Sequence, residues 1–486
     1  MSQEPKAGHR CAQQAGRTLG RMRRTSIALV RAAALTLGVA ACSLAHASTS
    51  DASWSAPERV ASSRVWTYSR PVLSLDGAGT GALVWHREEK LNETLNGVEA
   101  ATRGQSGWAP ARVLGPSKPS RAAYRPSVAM DRRGQATVVW GSISSVQAAS
   151  SRASGRFGRV TTLPGRVSAP APQVAVGPGG DATVVYPRLS AGLWVVVRRA
   201  GGGWDALPAL AGTSRSSISE PQVARDARGE TIIAWVSGYR SGSGELQVQA
   251  VVLGADDKPE RPPQTLLSTR SRSLGDLRLA ANRNGEAVLA WQQKAKSGAI
   301  AIEAAARRAG ARFGRPATVT RQKDANELSV ALDARGFAAI LFTRVTSTQP
   351  GAPEGPGDSY PAYTQTTAVE ATTRSRGGRW SKPGELASPT GSSTFEPRVA
   401  CNPAGEELMA VWTDARFRST QTATYTGKIE ASAVSPGERW QPPATISPAG
   451  SFAPTLAVSA NGSATAAWVN EATDVQSIEA SSYKPS

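Results

Sequence analysis

An all-β fold of eight four-stranded antiparallel blades, closed into a ring as a β-propeller, is the fold class this sequence predicts. Three observations predict it. One unit recurs eight times at a period of about 50 residues. Each unit is written in short strand and turn signals, with no amphipathic helical stretch after the first 47 residues. The last unit lacks a strand that residues near the start of the chain can supply. The units open at Pro71, Pro126, Pro172, Pro221, Leu277, Leu328, Pro397 and Pro454. Eight residues after each lies a glycine, Gly79, Gly134, Gly180, Gly229, Gly285, Gly336, Gly405 or Gly462. Six further on stands Trp85, Trp140, Tyr186, Trp235, Trp291, Phe342 or Trp468, with Trp412 one residue late.

Residues 1–47 read as an export leader and are set apart from the fold. Arg21, Arg23 and Arg24 precede the apolar stretch Ala32–Ala41, which is too short to span a bilayer. Two processing outcomes stand side by side. Ala45-His46-Ala47 fits cleavage after Ala47, and Val39-Ala40-Ala41-Cys42 resembles a bacterial lipobox in which Cys42 is acylated. Met22 competes with Met1 as the start. Either route predicts an extracytoplasmic protein, released or anchored to the cell envelope, that meets a membrane only through a lipid on Cys42. Cys11 and Cys42 fall in the leader, so Cys401 is left without a disulfide partner and the fold must be held by packing and strand pairing.

Residues 54–486 form the single propeller domain. The first strand of each unit, as in Pro126-Ser-Val-Ala-Met-Asp131, alternates its apolar positions. Its fourth position is small throughout, from Ser74 and Ala129 to Ala400 and Ala457, as an innermost strand needs where neighbouring sheets converge. The turn that follows, Asp131-Arg-Arg-Gly134 or Asp333-Ala-Arg-Gly336, is hairpin chemistry; one acid per turn does not make a calcium loop. The second strand ends in the aromatic. The third is Val98-Glu99-Ala100 and its counterparts Ile302-Glu303-Ala304, Ile429-Glu430-Ala431 and Ile478-Glu479-Ala480. A recurrent Glu or Gln at one strand position reads as a shared structural hydrogen bond or an exposed face, not a catalytic set. The fourth strand carries an aromatic followed by proline, as in Trp108-Ala-Pro110 and Trp440-Gln-Pro442, which suits an outermost edge. The eighth unit stops after its third strand, and Trp54-Ser-Ala-Pro57 matches the missing fourth, so an N-terminal strand completes the last blade.

These Pro-x-Val-Ala-x-Asp, Gly and Trp cores resemble the exported bacterial β-propeller repeat proteins grouped loosely with sialidase-like propellers. The resemblance covers residues 54–486 and implies architecture rather than activity, because propellers host unrelated functions. The Ser-x-Asp-x-Gly-x-Thr-Trp turns of sialidases are missing; Ser74-Leu-Asp76-Gly-Ala-Gly79 is the nearest approach, at the wrong spacing and on the wrong turn. The Trp-docking repeat of eight-bladed quinone-dependent dehydrogenases is also absent, and no cofactor is expected.

Composition bounds the chemistry further. The formal charge is +19; residues 1–47 hold seven basic residues and one acid, leaving +13 on the remainder. That charge suits either anionic polymers as partners or a compositional bias spread over a solvated surface, and no Lys/Arg run interleaved with aromatics marks a nucleic-acid track. His86 is the one histidine outside residues 1–47, which excludes histidine-rich metal sites and paired catalytic histidines. It follows Trp85 and is expected at the channel mouth, as a ligand contact or a solvated loop residue. Just before the inner strands stand Arg70, Arg125, Glu220, Asp276, Glu327 and Glu396. Eight blades would set Arg70 and Arg125 opposite Asp276 and Glu327 across the funnel. The same face carries long irregular insertions, residues 343–366 with Tyr360 and Tyr363, and residues 413–427 with Tyr425. Two functions of the loop face remain open, beside use of the basic exterior itself as the surface that meets an anionic polymer. One is a monomeric, non-enzymatic binding scaffold that holds an envelope glycan, anionic polymer or protein on the loop face. The other is a degenerate sialidase-like glycosidase or polysaccharide lyase, with the arginines gripping a carboxylate and Asp276 and Glu327 as acid and base.

Overall fold

The structure is a computed structural model that describes residues 53–485, apart from 92–95, 116–123, 143, 153–154, 168–170, 189–191, 211–216, 239–243, 271–272, 296, 323, 351–362, 388–391, 406 and 416–426. Its described residues form an eight-bladed β-propeller. Every blade is antiparallel, and in the first seven the strands follow one another in chain order from the innermost outward. Blade 4 is representative: Ser217–Arg225 pairs with Thr231–Gly238, that with Leu246–Leu253, and that with Gln264–Thr269.

The last blade closes as its sequence requires. Its three C-terminal strands, Ser451–Val458, Ala464–Asn470 and Gln476–Lys484, are joined at the outer edge by Ser53–Trp54 and Glu58–Ser63. Trp54 pairs with Tyr483 and Arg59 with Glu479. Pro57 falls between the two short strands, where a missing N–H costs no ladder bond.

Packing explains the aromatic at the end of every second strand. The core is divided into seams, each filled by residues of two adjacent blades, and each of the eight seams takes one of these aromatics. Trp140 lies between blades 1 and 2, Trp235 between 3 and 4, Trp412 between 6 and 7, and Trp468 between 7 and 8. All eight, including Tyr186 and Phe342, are fully buried. The seam that closes the ring is built the same way, with Trp85, Leu73 and Leu83 of blade 1 against Val60, Val469 and Ile478 of blade 8. Burial of one such side chain stabilises by about 3 kcal/mol.

The turn glycines sit where predicted, with φ between +74° and +93° at seven of the eight positions. The preceding Asp or Asn fixes the turn: Asp131 Oδ1 accepts from Arg133 N–H (2.8 Å) and Gln135 N–H (2.9 Å). Asp226 and Asp333 repeat the pattern. Gly405 is the exception, because its turn spans one extra residue. Asn402 N–H donates to Glu407 O, where Asp131 N–H reaches Gln135 O. That extra residue is why Trp412 arrives one place late.

The outermost strands differ from expectation. In blades 5 and 6 the aromatic-proline motif leads into the fourth strand instead of forming it. Phe313 makes a single bridge to Arg307, and the strand proper is Ala317–Gln322, after Pro316. Blade 6 likewise resumes at Gly384–Ala387, after Trp380 and Pro383. The insertion of blade 6 is also more regular than an irregular loop. Ala338–Pro350 and Tyr363–Arg374 form the longest strand pair of the ring, with Pro350 opposite Tyr363.

Candidate functional site

Five of the six residues that sequence places before the inner strands, Arg125, Glu220, Asp276, Glu327 and Glu396, lie inside them at a bulge; Arg70 falls between the short strands Trp66–Tyr68 and Val72–Leu75. In blades 4 to 8 the inner strand starts several residues earlier. It then carries one extra residue against its partner, between Ser219 and Gln222, Gly275 and Arg278, Asn326 and Ser329, Phe395 and Arg398, and Phe452 and Thr455. Blade 2 has the same offset around Arg125. At each bulge a non-glycine residue takes positive φ: Arg125 +43°, Glu220 +50°, Asp276 +50°, Glu327 +59°, Glu396 +57° and Ala453 +56°. These residues therefore form part of the channel wall below the rim, and are not loop residues of the mouth.

The left-handed backbone costs each residue about 1–2 kcal/mol. It aims four consecutive carboxylates at the next blade. Leu277 N–H donates to Glu220 Oε2 (2.7 Å), and Leu328 N–H to Asp276 Oδ2 (2.5 Å). Glu396 N–H donates to Glu327 Oε2 (2.7 Å), and Ala453 N–H to Glu396 Oε2 (2.7 Å). The line ends on blade 1, where the Arg70 guanidinium bonds Glu396 Oε1. Arg70 thus meets an acid of blade 7, not the Asp276–Glu327 arc expected across the axis. Asp276 pairs with Arg278 of its own blade. Arg125 is exposed at the bulge of blade 2.

Two arginines of this wall escaped the sequence reading. Arg278 and Arg398 stand one residue inside the repeat start, where the other units carry Val, Ser, Gln or Thr. Arg278 Nε donates to Leu328 O (3.0 Å) and its Nη1 to Leu277 O (3.0 Å); Arg398 Nη1 donates to Pro397 O (2.7 Å). Burial, then the nearby charge of Arg70, then that of Arg278, hold Arg398 well below the usual guanidinium range; Glu396 and Glu327 pull the other way. Arginine stays protonated at neutral pH, so Arg398 remains a cation in this wall. A deviation of arginine from a polar repeat position was the available signal.

His86 is not a loop residue. It lies within the second strand of blade 1, Gly81–Glu89, opposite Val98. It is half-buried, and burial lowers its pKa below the ordinary histidine value. Tyr363 opens the return strand of the blade 6 hairpin. Tyr360, Tyr425 and Cys42 lie outside the described residues, as does the leader.

The recurrent third-strand acid is a structural bond. Trp85 Nε1 donates to Glu99 Oε2 (3.0 Å) and Trp235 Nε1 to Gln249 Oε1 (3.0 Å), each across one strand pair. Glu303 and Glu430 accept instead from Thr318 and Thr445 of the fourth strand, at 2.8 and 2.6 Å. At the opposite end the channel opens into a cavity of about 660 Å³ lined by first-turn residues, among them Asp76, Asp131, Arg132 and Arg283. Among the described residues no three His, Cys, Asp or Glu side chains gather as a metal site.

The described geometry defines an eight-bladed β-propeller with a funnel of wired carboxylates and three wall arginines. No protein-family model matches the chain, and no curated protein does. Among solved structures it is similar to a polysaccharide lyase that is an ulvan lyase, at 9% identity and a TM-score of 0.45, over 74% of this chain and 93% of that one. It is similar to a protein of unknown function from Dyadobacter fermentans at 9% identity and a TM-score of 0.43, over 90% and 100%. An α-L-arabinanase of Penicillium chrysogenum gives 10% identity and a TM-score of 0.35, over 64% and 92%.

Proposed function

We propose that this protein is an exported binding scaffold of the cell envelope, holding a glycan, an envelope polymer or a protein on the loop face around its channel. The observation that carries the reading is the use made of the funnel acids. Glu220, Asp276, Glu327 and Glu396 each hold a backbone N–H of the next blade. A carboxylate in that role is held in place by the N–H it accepts, whereas a general acid must be free to carry a proton to the substrate and release it. Arg70, Arg278 and Arg398 supply the attraction for an anionic group of the ligand. The long hairpin of blade 6, exposed over residues 346–348, supplies a wall beside them.

A glycan array probed with the purified protein, followed by incubation of every retained glycan for turnover, tests this. Retention without new reducing ends or unsaturated products is expected. Replacement of Arg70 and Arg398 together by glutamine should weaken retention about tenfold or more. Turnover abolished by Asp276→Asn would overturn the reading in favour of a glycosidase or lyase.

A further inference from the structure

A second site lies away from the funnel, between the outer parts of blades 5 and 6. The connection from third to fourth strand in blade 5 carries Arg308, Arg312 and Arg315; the one in blade 6 carries Arg376 and Arg379, after Arg374 at the end of the third strand. They line two adjoining cavities of about 270 and 440 Å³ that share Ala306, Gly314 and Arg374. The floor is made of small residues, Ala306, Gly314 and Ala317, so the backbone surface is open to a chain laid along it.

Charge is not balanced within the cleft. Its one carboxylate, Glu286, is taken by Arg376 Nε (2.9 Å) and Asn282 Nδ2 (3.0 Å). Arg307, buried at the back, is satisfied by Glu230 (3.0 Å). Arg308, Arg312, Arg315 and Arg379 are exposed and have no carboxylate within ion-pair distance among the described residues. Arg374 donates to Gly378 O (2.7 Å) and lies 5.9 Å from the Trp380 ring centre. Burial, and then the neighbouring Arg308, push its pKa down. The cleft thus holds five guanidinium groups without an ionic partner among the described residues.

We infer that this cleft binds a segment of acidic polysaccharide, its carboxylate or sulfate groups taken by Arg308, Arg312, Arg315, Arg374 and Arg379. Planar guanidinium forks match such oxyanions in bidentate geometry. Two adjoining cavities accept a polymer rather than a single ion. A nucleic-acid strand fits less well, since sequence-independent binding of bases relies on a run of open aromatic faces. Here Trp380 is the single aromatic of the two cavities, half-buried and with Arg374 beside its ring.

The test is titration of the purified protein with a sulfated heparin hexasaccharide, and with a twelve-residue oligothymidylate, at 0.15 M salt. The quadruple variant R308Q/R312Q/R315Q/R379Q is compared with R152Q/R156Q/R159Q/R166Q, which removes the same charge from exposed positions of blade 2. The expected result is hexasaccharide affinity about tenfold or more lower in the first variant and within about twofold of the parent in the second. The four substitutions touch none of the funnel arginines, so this loss and the loss of retention in the funnel variant stand or fall separately. Equal losses in both quadruple variants would show diffuse charge attraction and overturn the assignment. So would oligothymidylate binding as tightly as the hexasaccharide and being lost with the same four arginines, or no hexasaccharide binding by the parent.

Discussion

Glu327 carries the residue-scale logic of this protein. Its backbone is held at φ +59°, where a side chain is disfavoured, and in return its carboxylate holds the Glu396 N–H of the next blade. A hydrogen bond to a charged acceptor contributes about 1.5–3 kcal/mol, enough to offset the conformational cost. Glu327→Gln keeps an acceptor oxygen in the same place, and Glu327→Ala does not. Urea denaturation should find the glutamine variant within about 1 kcal/mol of the parent and the alanine variant about 2 kcal/mol less stable. Equal losses would mean that the charge, not the acceptor, matters there. Sequence singled out this position because it precedes the repeat start, yet misjudged its place. A bulge adds one residue without breaking the alternation around it, and the N–H it serves lies 69 residues away. No local pattern encodes that partner. Cys401 was readable as unpaired, but its surroundings were not. Its Sγ faces the Leu332 carbonyl of blade 6 (3.0 Å), and burial pushes the thiol up to about 12.

At the scale of elements, the second and third strands of each blade form a unit around the seam aromatic. The spacing from turn to aromatic was legible because every copy must deliver one large side chain to one seam. How its polar edge is satisfied was only half legible, since the copies diverge. Trp235 Nε1 bonds Gln249, whereas Trp412 Nε1 has no partner among the described residues, Glu430 opposite it being engaged by Thr445. Phenylalanine keeps most of the apolar area of tryptophan and removes only the donor. Trp235→Phe removes one of the two hydrogen bonds to Gln249 Oε1, that from Ser237 Oγ (3.0 Å) remaining, and should cost about 1 kcal/mol more than Trp412→Phe by thermal unfolding, since the latter loses no bond. Equal costs would indicate that the donor adds nothing and that the aromatic is selected for volume alone. The outer strands were the least legible elements. They are short, and proline displaces their start in blades 5 and 6.

For the whole molecule, the decisive junction is the one that covalent continuity does not make. Seven seams join blades that follow each other along the chain; the eighth joins the two ends. The N-terminal strands contribute Val60 to that seam, pair along Ser477–Ala480, and set Trp54 against the Tyr483 ring at 5.5 Å. Loss of these contacts forfeits a buried apolar side chain and several ladder bonds, on the order of 3–5 kcal/mol. It also bares the edge of Gln476–Lys484, whose unpaired N–H and C=O groups invite another chain. A chain beginning at residue 64 should therefore unfold at a lower urea concentration and associate in a concentration-dependent manner by light scattering. A peptide of residues 50–65 should restore both properties, since it returns the missing edge without any covalent link. A truncated chain that stayed monomeric at the parent midpoint would mean that the other seven seams hold the ring alone.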